Sequence, residues 1–377
     1  MDLTIISTFR CNSKCQMCNI WKNPTSPQEE ISLDVLDKLP LGFDNLNISG
    51  GEPTLRRDLS EIIDIVYPKA RIAEISSNGL YPERLVPIIK KYPDIKIRFS
   101  LEGDETTNNS IRGEKNGYAI KVKGLQMLQE AGGTDLGFAT VIQDENITHL
   151  SSLYEMAYAQ GFELSTSTLH NAWQFYKNDN FHYNRVRVAR EVGPFITSLL
   201  KSNNVKNWFR AYLNLGLMEK ILGHDRLIPC TAGKDFMFID PWSDVWACNV
   251  RSDLRIGNIR NQSWDEIINS QQAKDVFSKV TACTQNCWMV GTARTAMRSN
   301  LFPQLPKKTP FMWVLRNKLK VMMGRDIDFD AYIDFENVVS SEQVARKSYL
   351  NDKTKGKLVK GRETIEERYP LKDFKNR

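Results

Sequence analysis

Between residues 3 and 169, short β-rich runs alternate with helix-like stretches, and this rhythm limits the fold more than any other feature of the chain. Residues 3–7, 45–49, 71–76, 95–101, 136–142 and 163–169 read as strands. Between them, 32–39 (Ser32 as cap, Asp34 in the first turn), a stretch from Asp58 or Ser60 to Val66, then 82–92, 118–131 and 149–160 read as helices. Strand, loop and helix in strict alternation predict parallel strands joined by crossover helices. About six such units fall short of a closed eight-fold barrel, so the expected fold is α/β, a partial barrel. In such barrels the chemistry sits at the C-terminal ends of the strands. A cysteine loop follows the first strand here, Gly50-Gly51-Glu52-Pro53 the second, Ser77-Asn78-Gly79 the third and Glu102-Gly103-Asp104 the fourth.

The cysteine loop carries Cys11, Cys15 and Cys18 in a C-x3-C-x2-C pattern. Thiolates are soft ligands that select zinc, copper(I) or iron–sulfur clusters. A structural zinc site wants four ligands, and this run supplies three. Three thiolates on a four-iron cube leave one iron open to bind a small molecule and pass it an electron. The intervening Asn12, Ser13, Lys14, Gln16 and Met17 suit a ligand loop better than a core strand. Zinc with a distant fourth cysteine stays open as the alternative. The opening at Asp2 has no signal-peptide pattern, and no apolar run is long enough for a bilayer. Both point to a reducing cytoplasm, where seven cysteines serve as metal ligands and not disulfides. The net charge of +6 is mild for 377 residues and gives no argument for nucleic acid as a partner.

This cysteine spacing, with the glycine-rich turn at 49–53, resembles the radical S-adenosylmethionine (SAM) superfamily over about the first 240 residues. The resemblance implies a partial (β/α)6 barrel, a [4Fe-4S] cluster on Cys11, Cys15 and Cys18, and a flavodoxin- or ferredoxin-type electron donor. It implies that the segment Gly50, Gly51, Glu52 and Pro53 holds the methionyl amine of SAM. Ser77 and Asn78 would lie near the ribose, Ser100 and Arg112 on SAM itself, with the arginine on its carboxylate. The rival reading of Arg112 is a surface arginine at a helix start. Met17 stands where the family often has an aromatic and would serve as an apolar surrogate against the adenine. The implied chemistry is one-electron cleavage of SAM to methionine and a 5′-deoxyadenosyl radical, which takes hydrogen from an unactivated carbon.

A second cysteine set follows: Cys230, a strand at 235–239, a turn at 240–244, a strand at 245–247, Cys248, then a short helix at 264–268 and the pair Cys283 and Cys287. The hairpin should bring Cys230 and Cys248 together. The order resembles the SPASM/twitch extension of radical SAM enzymes, whose four remaining cysteines imply one auxiliary [4Fe-4S] cluster. The closing pair is C-x3-C where C-x2-C is common, and a structural zinc site also fits four thiolates. The expected domains are therefore a barrel over 1–170, a helical connector and substrate wall over 171–229, a SPASM/twitch-like unit over 230–300 and a basic, charged tail over 301–377.

His170 and Trp173 lie just past the last barrel strand, at the end expected to see substrate. Helices are expected at 192–201 and 208–222. Arg294 and Arg298 either meet an anionic substrate or lie solvated on a helix, and His170 and Arg294 are the candidate catalytic residues. Pro303, Pro306 and Pro310 mark a linker, and beyond about residue 340 the chain is charged. The stretch 311–323 is apolar and basic at once, fit for an anionic membrane surface, for a lipid-linked substrate, or for packing back on its own domain. The shortened extension resembles aminocyclitol- and sugar-modifying dehydrogenases, which implies an oxidoreductase that oxidises an alcohol with the auxiliary cluster as electron acceptor. The alternatives are modification of a ribosomally made peptide by crosslinking, epimerisation or oxidation, and a zinc-binding interaction protein. With residues 1–10 alone before the cluster loop, no winged-helix peptide-recognition unit is expected there, which favours a small or carrier-bound substrate.

Overall fold

In a computed structural model describing residues 1–177, 179–301 and 309–333, strand β1 (Asp2–Ile6) lies inside a nine-stranded sheet. Leu3 and Ile5 share one face of the strand and are wholly buried, while Thr4 and Ile6 on the other face line the barrel interior. The chain continues through α1 (Leu33–Asp37), β2 (Asn45–Ser49), α2 (Leu59–Val66), β3 (Ala73–Ser77), α3 (Val86–Lys91), β4 (Lys96–Ser100), α4 (Glu105–Arg112), α5 (Gly117–Glu130), β5 (Leu136–Ile142), α6 (Leu150–Ala159) and β6 (Glu163–Thr168). β1 to β6 pair in sequence order and all in parallel. This is the expected (β/α)6 arrangement.

Two long helices, α7 (Arg185–Lys201) and α8 (Val205–Leu222), carry the chain back across the sheet to β7 (Phe236–Ile239). β7 pairs in parallel with β1, Asp2 opposite Phe236. β8 (Asp244–Trp246) and β9 (Arg255–Asn258) then add antiparallel strands, giving the order β6-β5-β4-β3-β2-β1-β7-β8-β9. The later cysteine region therefore continues the barrel sheet. Phe236, Met237, Phe238 and Ile239 are all buried, the signature of an interior strand. Buried Asp244 ties β8 to β9, accepting from Arg255 Nη2 and Asn258 Nδ2, each at 2.6 Å. α9 (Trp264–Ile268), α10 (Gln271–Thr281), α11 (Val290–Ser299) and α12 (Pro310–Met322) complete the described chain.

α4 has no counterpart among the expected helices. Its sequence is polar, so no apolar stripe announces it; Asp104 caps it by accepting from Thr107 N (2.8 Å), and Gly113 ends it in the left-handed region at φ +61°. α7 begins at Arg185, upstream of the expected 192, α10 has no counterpart among the expected helices, and α11 is the helix that one reading of Arg294 and Arg298 required. α12 packs back, with Val314 and Asn317 buried and Lys318 Nζ donating to the Leu200 and Ser202 carbonyls, while Met312, Leu315 and Leu319 stay exposed. Pro303, Pro306 and the stretch beyond 340 lie outside the described residues. No helix of the described residues is long and apolar enough to cross a membrane.

Candidate active site

The cysteine loop leaves the C-terminal end of β1 and is held from several sides. Phe9 is buried edge-on against Tyr176 and Trp242. Arg10 makes a two-point salt bridge to Glu30, Nε to Oε1 and Nη2 to Oε2, each 2.8 Å. Lys14 N donates to the Arg112 carbonyl (3.0 Å) and Gln16 N to that of Ile111 (2.9 Å), seating the loop on the end of α4. Asn19 N donates to Phe175 O (2.8 Å) and Asn180 Nδ2 to Met17 O (3.0 Å).

The loop faces a cavity of about 270 Å3 lined by Cys11, Cys15, Cys18 and Met17. Gly50, Gly51, Ser77, Asn78, Ser100 and Arg112 line the same space, so six of the eight residues expected around SAM converge here. Glu52 and Pro53 do not. Glu52 is fully buried and its carboxylate is consumed internally: Oε1 accepts from Thr54 N, Thr54 Oγ1 and Ser77 Oγ, and Oε2 from Asn78 N (2.6 Å). It ties the turn after β2 to the turn after β3, and it is absent from the lining of the cavity that the neighbouring glycines face. Glu52→Gln puts an N–H where donors already point, so a loss of about 1–3 kcal/mol is expected. A denaturant midpoint unchanged from wild type would contradict this.

The two glycines also let the turn pack against the cysteine loop. A Cβ on Gly51 would lie 2.3 Å from the Arg10 carbonyl oxygen, and one on Gly50 would lie 2.6 Å from that of Thr8. Their bareness lets the turn close on the backbone of the cysteine loop, with Gly51 N donating to Thr8 O and Glu52 N to Arg10 O (2.7 and 2.8 Å). Arg112 is buried, not a surface residue, and pairs with Glu102 (3.0 Å) and Glu114 (3.3 Å). Burial opposes its charge, but Cys15, Glu102 and Glu114 outweigh that and hold its pKa above the ordinary value. Burial pushes all three thiols up, Cys11 to about 12. A cationic or metallic partner is what would let them ionise.

A second cavity of about 340 Å3 runs on down the barrel and shares Ser49, Gly50, Ser76, Ser167 and His170 with the first. Hydroxyls line it from Ser76, Thr140, Ser165 and Thr166. His170 stands at the junction. Its Nδ1 donates to Thr168 O (3.2 Å), which leaves Nε2 as a buried acceptor with no partner among the described residues. Burial, then the Lys220 charge, lowers its pKa to about 3, so the ring is neutral. Trp173 turns away into an aromatic cluster against Trp246, ring centroids 4.6 Å apart. Arg294 reaches the cavity from the opposite end, at the start of the strands. It pairs with buried Asp2 (2.8 Å) and, as Arg298 also does (3.1 Å), clamps β1. That end of a barrel is concerned with stability. Ser167 and Val141 line the first cavity unforeseen, although the strand-end rule pointed at them; Asn180, on an irregular loop, gave no signal.

Cys248 is buried, its Sγ accepting from Val250 N (3.3 Å). Its thiol is pushed up by burial and then by Cys287 and Cys230; that of Cys230 is pushed up by burial and further by Cys287 and Cys283. The four later cysteines thus share one neighbourhood, which the hairpin implied for Cys230 and Cys248. Among the described residues no three His, Cys, Asp or Glu side chains stand close enough to share a single metal ion. The all-thiolate donor sets fit a four-iron cube, which takes thiolates as its ligands.

The Radical SAM superfamily model matches residues 5–157, and a model of an iron–sulfur cluster-binding domain, SPASM, matches 230–288. The chain is a radical SAM protein with a SPASM domain. It is 27% identical to the mycofactocin maturase MftC of Mycolicibacterium smegmatis over 68% of this chain and 67% of that protein. It is 25% identical to the PqqA peptide cyclase of Granulibacter bethesdensis over 66% of this chain and 74% of that protein. The fold of anSMEcpe, solved with bound AdoMet and the Cp18Cys peptide, superposes with a TM-score of 0.53 at 15% identity, over 86% of this chain and 96% of that one. At that identity the likeness speaks for the fold alone.

Proposed function

We propose that this radical SAM protein is a maturase that modifies a peptide at an unactivated carbon. The observation that carries the reading is the continuous space from the three-cysteine loop past His170 into the hydroxyl-lined lumen. Similarity to a maturase and a peptide cyclase favours a peptide over the sugar or aminocyclitol substrate expected from the shortened extension. The net outcome, oxidation, crosslink or epimerisation, is left to the substrate, and so is the oxidoreductase label.

In this reading Cys11, Cys15 and Cys18 hold the [4Fe-4S] cluster. Gly50, Gly51, Ser77, Asn78, Ser100 and Arg112 bind SAM, and Cys230, Cys248, Cys283 and Cys287 hold an auxiliary cluster. The bound pair of cluster and SAM supplies the radical. The chain does the positioning. Arg112 offers a guanidinium fork that Glu102 and Glu114 hold in one orientation. Met17 and Ile20 exclude water beside the cysteines. His170, neutral and fixed in one tautomer, offers an acceptor to a substrate N–H or O–H.

The test is anaerobic incubation of the reconstituted protein with SAM, a strong reductant and carbon-deuterated candidates. Precursor peptides encoded near the gene are compared with sugars and aminocyclitols. Deuterium is expected in 5′-deoxyadenosine with a peptide. Transfer from sugars and from none of the peptides would overturn the reading.

A further inference from the structure

Two cations near the second cysteine set lack any counter-charge. Lys220 lies half-buried in the last turn of α8; among the described residues its ammonium donates to the Leu169 carbonyl (2.7 Å) and meets no carboxylate. Arg226 sits over the Trp288 ring (4.9 Å from its centroid), donates to the carbonyls of Ile228 and Thr292, and places Nη1 4.0 Å from Cys287 Sγ, again with no carboxylate. Lys220, Cys287 and His170 line one small cavity of about 50 Å3. Both side chains are half-buried, and a charge drawn partly out of water is costly without a counter-ion. The group that both cations share is Cys287, whose thiol can become the anion they lack.

We infer that Lys220 and Arg226 are the counter-cations of the auxiliary cluster and raise its reduction potential. The inference rests on the reading that Cys230, Cys248, Cys283 and Cys287 hold that cluster. Four thiolates around a four-iron core leave a net negative charge that grows by one on reduction. Nearby positive charge favours the reduced form, and charge and hydrogen bonds at the sulfurs are among the levers that set such potentials. Arg251 is a weaker contributor. It lies near Cys283, but Asp253 neutralises it through a two-point pair (2.9 and 2.7 Å). Lys220 also grips Leu169, next to His170, so the same ammonium links the cluster to the wall of the lumen. Both are positioning residues, because each acts through the cluster.

The experiment uses the full chain with Cys11, Cys15 and Cys18 replaced by alanine, reconstituted anaerobically, so that the auxiliary centre alone is read. Its midpoint is followed by electron paramagnetic resonance during a redox titration. Lys220→Met and Arg226→Met are each expected to shift it to more negative potential, the double variant further, while Lys220→Arg restores it. A purely structural Lys220 would lower thermal stability and leave the midpoint where it was. A loaded centre whose midpoint is the same in all variants overturns the inference alone. Failure of that background to load any iron overturns both the inference and the assignment of the four cysteines.

Discussion

Cys15→Ala is expected to abolish reductive SAM cleavage, read as 5′-deoxyadenosine released under a strong reductant. Loss of groups that merely support metal ligands costs about 10–100-fold, so removal of a ligand itself should exceed about 100-fold. The shape of the loop does not depend on this thiol. Backbone bonds from Lys14 and Gln16 to the end of α4 hold it, and the Arg10–Glu30 pair anchors its start. Thermal stability of the iron-free chain should therefore change little. Iron should fall from about eight to about four per chain, since the second set keeps its own cube. A structural thiol would behave in the opposite way, with stability affected and cleavage intact. Wild-type amounts of 5′-deoxyadenosine from the alanine variant would remove the assignment.

The difference between what the sequence reveals and what it hides follows the range of the interactions. The cysteine spacing and the alternation from β1 to β6 are local patterns, and both are present in the fold. Convergence of Ser77, Asn78 and Ser100 on the cysteines follows from the barrel rule that strand ends face one site, whereas Arg112 arrives from the end of α4. The bonds of Glu52 within the fold were hidden because its donors, Ser77 and Asn78, lie on the next strand end, far from the tetrad in sequence. Arg294 was placed by its nearness in sequence to the cysteine pair. In the fold it pairs with Asp2, at the other end of the chain, and still lines the second cavity. The same cause hid the place of β7: a hairpin is legible, but docking beside β1 depends on the α7–α8 crossover. α4 is a different failure, since a short polar helix held by Asp104 and Gly113 carries no hydrophobic period.

Those long-range contacts make one small residue unusually sensitive. Gly216→Ala is expected to destabilise the chain and to strip the auxiliary cluster while sparing SAM cleavage. Gly216 lies within α8, where alanine would normally gain about 1 kcal/mol of helix propensity. Here its Cβ would fall 1.9 Å from Cε2 and 2.2 Å from Cζ2 of Trp288, well inside contact. The indole has nowhere to yield. It is 1% exposed, its Nε1 donates to Leu213 O (2.8 Å), and Arg226 covers its face. Unseating a buried tryptophan costs about 3–5 kcal/mol, so the steric loss outweighs the propensity gain. Trp288 directly follows Cys287, and moving the ring drags that thiol off its corner. The two cysteine sets are separately held, so iron should drop towards about four per chain. 5′-Deoxyadenosine without substrate should persist, whereas peptide turnover should be lost. A variant as stable as wild type with full iron would mean that the α8–Trp288 contact does not position the second cysteine set.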